Sequence, residues 1–497
     1  MGGCRRPARG LMLGGHLLHA PAKSRAATTG VTGRILLLDG VRARRDDTAA
    51  IASMAGVLDM PRGGGTIRLL QIFVVTLMVV PSNMVFSPLG ASGYVASMVG
   101  MVCFGVWVVG TLLGLHNPLE RRNPVRIGFA ALWVASLISY ALINRFVQPF
   151  VTMSAADRWM LQLLACTGVA LLAAETLRSV ADVRRVTRAL VWAAAFCGFV
   201  AALQYWFRYD ITPALQAIPG MIANADAAVF QLRGGLNRVA GTAMHPIELG
   251  ITSGMILPLA LWLAIGDRGR PAIRRWTPSV LIAIGVLASI SRSGTLAVLL
   301  SVGLLIVLLP LRLRLAALAM APLVFIAVLV TAKGFLRTLF ETTLYTPNES
   351  RTDDYGLAAD LMSGSQWFGQ GGGTYMPRVV LEVFDNQYLK TAVELGWAGV
   401  IALIVYLALP MSIALSARRR LVDPGSRMLC AALAGSSLAA TVCAVTFDAM
   451  AYPQFIGVQA LVAGFAGACW LMSRDPPEVS ASLSAHHRSS STGLRST

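Results

Sequence analysis

Lysine is nearly missing from this chain: Lys23, Lys333 and Lys390 are the only three in 497 residues, so its 42 basic side chains are almost all arginine. Charge of any sign is scarce, at 13% of residues against roughly 25% in soluble domains, which excludes an ordinary soluble fold. The seven cysteines form no CxxC pair and no metal-ligand spacing, so they read as small packing residues and no metal site is expected. A G-x-x-x-x-G-K-[ST] phosphate loop is absent, which removes the usual nucleotide cradle. No apolar core followed by a cleavage site opens the chain; residues 1–65, rich in Arg, Gly and Ala, read as a disordered cytoplasmic tail instead of a signal peptide. The tail over 474–497, rich in Ser and His, reads the same way.

What is present is apolar. Hydrophobic residues make up 56% of the chain and its mean hydropathy is +0.65, the composition of a multi-pass membrane protein. The basic excess, 42 against 24 acidic residues, falls between apolar runs and not along one face, so it sets topology and implies no nucleic acid. With about 20 residues needed per crossing, spans are predicted at 67–86, 93–115, 125–143, 157–177, 188–206, 245–265, 275–291, 293–310, 314–332, 387–412, 428–447 and 453–472. The expected fold is therefore all-α, a polytopic bundle of about twelve membrane helices over 66–473. Alternate connections carry "LERRNPVR", "RSVADVRRVTR", "DRGRPAIRR", "LRLR" and "ARRRLVDPGSR", which puts them and both termini in the cytoplasm. Two long segments, 207–244 and 333–386, are then external, and loops of that length are usually functional.

From Thr277 to Leu309 the apolar region is 33 residues. At 1.5 Å per residue that is about 50 Å, too long for one crossing and short for two. A hairpin resolves the mismatch, with its turn at Ser291-Arg292-Ser293-Gly294 and Arg292 at membrane depth. Such an arginine costs about 2.5 kcal/mol or more and needs a partner, either a buried carboxylate such as Glu175 or Glu248, or an anionic ligand. In "NRVAGTAMHPIELG", Pro246 suits the first turn of a span, His245 its N-cap, and Glu248 the positive end of the helix dipole. Capping alone accounts for His245 and Glu248. Arg238 is different, because a cation near a helix N-terminus is mismatched unless an anion joins it. Two arginines converging at an outer lipid boundary suit a diphosphate with an apolar tail.

The motifs "RVAGTAMHP", "SISRSGTL", "WFGQGGGTY" and "DNQYLKTAVELGWAGV", in that order and at those topological positions, resemble the O-antigen ligase and O-antigen polymerase superfamily over about 160 residues, from Arg238 to Val400. The resemblance implies an inverting, metal-independent glycosyltransferase of a bacterial cytoplasmic membrane, without a cofactor. It would move a glycan from a polyprenyl-diphosphate carrier to an acceptor hydroxyl on a glycan, lipid or protein. Arg238 and Arg292 would bind the diphosphate and stabilise the charge it gains on leaving. Many members carry a histidine just before the asparagine that opens the late span; here Asp385 precedes Asn386, so Asp385 is a candidate base and equally a candidate N-cap, with His245 as the competing base. Glu248, Arg351, Tyr375 and Asn386 are expected to contact substrate. The segment "NESRTDDYGLAADLMSG" has helical spacing in Tyr355, Leu357 and Leu361, and the glycines after it would floor an acceptor-sugar site lined by Trp367 and Tyr375. Glu349, Asp353, Asp354 and Asp360 read as a solvated acidic face. The alternative class is a twelve-span transporter or flippase of lipid-linked glycan.

Overall fold

The computed structural model describes residues 64–474, apart from 116, 119–120, 144–149, 217–218, 225–229, 234–235, 321–348 and 377–383. The two tails, most of the span expected at 314–332 and the first part of the second external loop lie outside the described residues; within that span, 314–320 is helical. The helices are α1 (Gly64–Val79), α2 (Val95–Leu112), α3 (Val125–Ile143), α4 (Phe150–Thr176), α5 (Val180–Ala202), the short α6 (Thr212–Gln216), α7 (Pro246–Gly266), α8 (Ala272–Ala288), α9 (Arg292–Leu308), α10 (Glu349–Met362), α11 (Gln387–Arg420), α12 (Pro424–Cys443) and α13 (Pro453–Met472). Eight of them are long and apolar enough to cross a membrane. The protein is a multi-pass helical membrane protein.

Two small antiparallel ribbons interrupt the all-α expectation. Strand β1 (Met84–Phe86) pairs with β2 (Met221–Ala223), and β3 (Phe230–Arg233) pairs with β4 (Leu236–Val239). The first predicted span therefore stops early: α1 ends at Val79, and the chain beyond Pro81 becomes strand, because proline disfavours helix in the residue before it. Strands of three or four residues are too short to show a period of two in the sequence.

The chain does turn between α8 and α9, two residues earlier than expected. Helix α8 ends at Ala288, Ile290 takes a positive φ of 42°, and Ser291 caps α9 by accepting from Gly294 N at 3.2 Å. Arg292 thus occupies the first helical position instead of the turn. Glycine sets how closely α9 approaches α7: a Cβ on Gly294 would lie 2.8 Å from Gly250 Cα, and one on Gly254 would lie 2.7 Å from Ala297 Cβ. Helix α11 is broken rather than continuous. Gly396 adopts φ 66°, and the backbone of Trp367 lies where its Cβ would go.

The described helices alternate in direction, so their ends gather at two poles. At one pole Arg126 pairs with Glu175, Arg188 with Asp267 at 2.7 Å, and Trp262 Nε1 donates to Gly425 O at 2.9 Å. This is the pole of the arginine-rich loops. The opposite pole carries β1 to β4, the α8–α9 turn, the start of α11 and the α12–α13 connection.

Candidate active site

The site at that second pole is held by backbone-directed polar contacts. Gln204, at the end of α5, accepts from Gly241 N at 2.8 Å and donates to Gly241 O at 3.1 Å, while Thr242 Oγ1 donates to Met78 O at 2.6 Å. These bonds staple the segment between β4 and α7 to the tops of α5 and α1. Arg238 leaves that segment on β4, opposite Gln231 in register. It is buried, its Nε donates to Ser289 O at 3.0 Å, and one Nη donates to Gln231 Oε1 at 3.3 Å. Arg238 is thereby fastened to the turn whose next helix opens with Arg292. Arg292 follows three residues after Ser289, the residue whose carbonyl Arg238 holds.

Arg292 is half-buried, and its Nε and one terminal nitrogen are closed to solvent with no hydrogen-bond partner among the described residues. Buried guanidinium donors in that state are uncommon, since most buried polar atoms are satisfied. A third arginine, Arg208, lies against Asn237, whose amide oxygen, turned toward it, accepts at 2.7 Å.

His245 is the N-cap of α7, with Nδ1 accepting from Ile247 N at 3.2 Å and Nε2 3.3 Å from the Gln231 amide nitrogen. A neutral imidazole has one free ring lone pair, and in either tautomer that pair faces an N–H donor. Burial, and then the neighbouring Arg238, push its pKa down to about 4. Both facts make it a weak proton acceptor.

Glu248 is fully buried, and its oxygens accept from Ser82 Oγ, Met244 N and Gln454 N, each at 2.8 Å. It clips the α1–β1 connection, the approach to α7 and the first turn of α13 to one carboxylate. That placement leaves it behind the site, not at its surface.

Asn386 is the N-cap of α11, with Oδ1 accepting from Tyr388 N at 2.9 Å and Leu389 N at 3.4 Å. The capping role is therefore filled without Asp385, which is exposed beside it. Gln387 N donates to Ala444 O at 2.9 Å and Phe447 O at 3.0 Å, and its Oε1 accepts from Met450 N at 2.8 Å. These bonds bring Asp385 up against the α12–α13 connection. There Asp448 sits 3.6 Å from Lys390 Nζ. Burial raises the Asp448 carboxyl above its ordinary range; Lys390 opposes that and Asp385 adds to it. Tyr452 lies within electrostatic reach of Asp448, Glu248, Asp385 and Arg238, and its ring centroid is 6.1 Å from that of His245. Burial raises this phenol, so it stays an O–H donor.

Tyr375 stacks on Phe384 with centroids 4.9 Å apart, inside a small core that joins α10 to α11 through Ala358 and Met362. In α10, Leu357 and Leu361 pack on that core but Tyr355 is exposed, because it stands two residues off their stripe. The side chain of Arg351 lies outside the described residues. Trp367 is 64% exposed, and the glycines after it serve packing: Gly369 and Gly371 close on α11 at Glu394, and Gly372 sits on the ring of Trp159. A cavity of about 380 Å³ borders this loop, lined by Trp159 and not by Trp367 or Tyr375.

Asp448, Tyr452, Lys390 and Gln231 were not anticipated as site residues. The segment "DAMAY" reads in sequence only as a short connection without arginine, and nothing in its spacing announces that Gln387 will pull it against Asp385.

Residues 277–404, from α8 through the broken part of α11, match the family model of O-antigen ligase. The match supports the O-antigen ligase and polymerase superfamily. It contains Arg292, Asp385, Asn386 and Lys390, whereas Arg238, His245 and Glu248 precede it. No curated protein gives a significant match.

Proposed function

We propose that this protein is a metal-independent, inverting glycosyltransferase that takes a glycan from a polyprenyl-diphosphate carrier and joins it to an acceptor hydroxyl on the outer face of a bacterial cytoplasmic membrane. The single observation that carries this reading is that Arg292 Nε and one terminal nitrogen are closed to solvent and without a hydrogen-bond partner among the described residues, at the first position of the helix that follows the Ser289 carbonyl held by Arg238. Such a group at membrane depth calls for an anion, and a guanidinium fork matches phosphate oxygens. The arginine-rich pole faces the cytoplasm in this reading, together with both termini, and about twelve spans cross the bilayer.

In the reaction, Arg238 and Arg292 bind the diphosphate in the ground state and stabilise it further as the anomeric C–O bond breaks and charge accumulates on the leaving oxygen. The acceptor oxygen attacks the opposite face of the anomeric carbon, and its proton passes to a carboxylate. We assign that base to Asp385, next to Asn386, which caps α11, with the Asp448 carboxylate in its electrostatic reach. Tyr452 donates toward the diphosphate from the arginine side, and His245 positions Gln231 and the start of α7. Glu248 positions both helix ends from behind.

Mass analysis of lipid-linked and surface glycans with and without the gene tests the reading. Short units accumulating on the carrier indicate a polymerase, and full-length chains stranded there indicate a ligase. Unaltered glycans on the carrier and at the surface overturn it; a transporter of the same lipid would move it without consuming it.

A further inference from the structure

The cavity of about 380 Å³ is separate from the arginine pair, yet shares a wall with it. Met450 and Ala451 line the cavity, while the flanking Asp448 and Tyr452 border the proposed donor site. Lys390 belongs to both, lining the cavity and pairing with Asp448 at 3.6 Å. Its size is at the small end of the range for small-molecule sites.

The lining has the chemistry of a sugar site. Trp159 and Tyr94 are aromatic residues of the lining, and Trp159 is locked by its Nε1 donating to Ser136 Oγ at 2.9 Å and by Gly372, whose Cβ would meet the ring at 2.6 Å. Gln387 and the carboxylate of Glu394 add donors and acceptors suited to hydroxyls. One charge has no ion-pair counterpart among the described residues. Lys390 is held by Asp448 and lies within reach of buried Glu394. Arg158, near the start of α4, lines the cavity half-buried, with no hydrogen bond or ion pair among the described residues. Its neighbour Asp157 is turned away, accepting from Tyr140 Oη at 2.6 Å. An arginine at the end of a membrane helix that lines a void, with no hydrogen bond or ion pair among the described residues, points to a ligand.

We infer that this cavity is the acceptor-sugar subsite and that it takes a sugar bearing an anionic group, which pairs with Arg158. The acceptor name rests on the transfer reading above; the sugar site itself does not. The wall formed by Asp448 to Tyr452 then separates donor diphosphate from acceptor ring, with Asp385 and Asp448 at their border, where a base for the acceptor hydroxyl has to be.

The test uses the full chain in lipid nanodiscs, with glucuronate, glucose 6-phosphate, glucose and inorganic phosphate as probes and saturation-transfer NMR as the readout. Either acidic sugar is expected to bind about tenfold more tightly than glucose, the size of one charge-assisted hydrogen bond. Arg158→Gln should reduce it to the level of glucose without moving the melting temperature, and the better of the two sugars identifies the anion as carboxylate or phosphate. If Arg158→Gln does not fold, Arg158→Lys, which keeps the charge and loses the fork, should give an intermediate loss. Equal binding of glucose and the acidic sugars, an acidic-sugar preference that survives in the folded variants, or inorganic phosphate binding as well as glucose 6-phosphate would each overturn the inference. Acid-sugar binding by a protein that never consumes lipid-linked glycan would remove the transfer reading and leave the sugar site; transfer with no such preference would do the reverse.

Discussion

Replacing Glu248 by glutamine exchanges one acceptor oxygen for a donor in a place where three donors converge. The Oε2 position takes both Ser82 Oγ and Met244 N at 2.8 Å, so the amide oxygen is best placed there, which turns the new NH₂ toward Gln454 N. One hydrogen bond to a charged group, about 1.5–3 kcal/mol, is lost, and a buried N–H in the first turn of α13 is left facing another donor, a further penalty of about 1–3 kcal/mol. We expect a net loss of about 2–4 kcal/mol, and more for Glu248→Ala, which also leaves a void. Thermal melting of purified protein in nanodiscs, followed by intrinsic fluorescence, should show both variants below wild type, with alanine lowest. Because the carboxylate ties α7 and α13 beneath His245 and Tyr452, turnover should fall in parallel with stability. An unchanged melting temperature combined with a raised KM would refute the reasoning, and would place Glu248 in contact with substrate instead of behind it.

Other outcomes follow from the same geometry. Gly294→Ala puts a Cβ 2.8 Å from Gly250 Cα and should cost about 1–3 kcal/mol in a melting assay while displacing the start of α9 and slowing turnover. Asp385→Asn should lower kcat by about 10²- to 10⁴-fold, the range for losing a general base. The base must be unprotonated, so the wild-type rate should fall as pH drops through the carboxylate pair; removing one negative charge by Asp448→Asn should move that acid limb to lower pH in a pH–rate profile. His245 has a folded pKa of about 4 against an ordinary 6.5, so the folded state binds fewer protons than the unfolded state between those values. Stability from this group is complete above about pH 6.5 and is lost as pH falls toward 4, a dependence that His245→Asn, which keeps a cap, should flatten in melting curves.

Much of the bundle was legible because apolar runs of about 20 residues bounded by arginine have few alternative structures in lipid. Helix α3 and helix α13 occupy their predicted ranges; Arg292 was singled out because an intramembrane cation is conspicuous in such a sequence, and Arg238 because a cation at a helix N-terminus is mismatched. Local rules also located His245 as a cap. They failed where the outcome depended on which distant donor reaches a group first. Asn386, not Asp385, caps α11, a choice between two adjacent good caps that spacing alone leaves open. Glu248 read as a helix-dipole or substrate group in the first turn of a span, but Ser82 and Gln454 arrive from 166 and 206 residues away to enclose it. The "GQGGG" run gave the right warning of close backbone approach while the partner, the Gly396 break and Trp159, lies on other helices.

The central claim, that two arginine forks hold a diphosphate at the outer pole, is tested most directly with Arg292→Lys in proteoliposomes charged with lipid-linked glycan, by counting the polyprenyl diphosphate released. The replacement preserves charge and loses the planar fork, so release should drop by about 10²-fold or more while the protein stays inserted and melts near the wild-type temperature. Release at the wild-type rate by a folded Arg292→Lys protein would contradict the account.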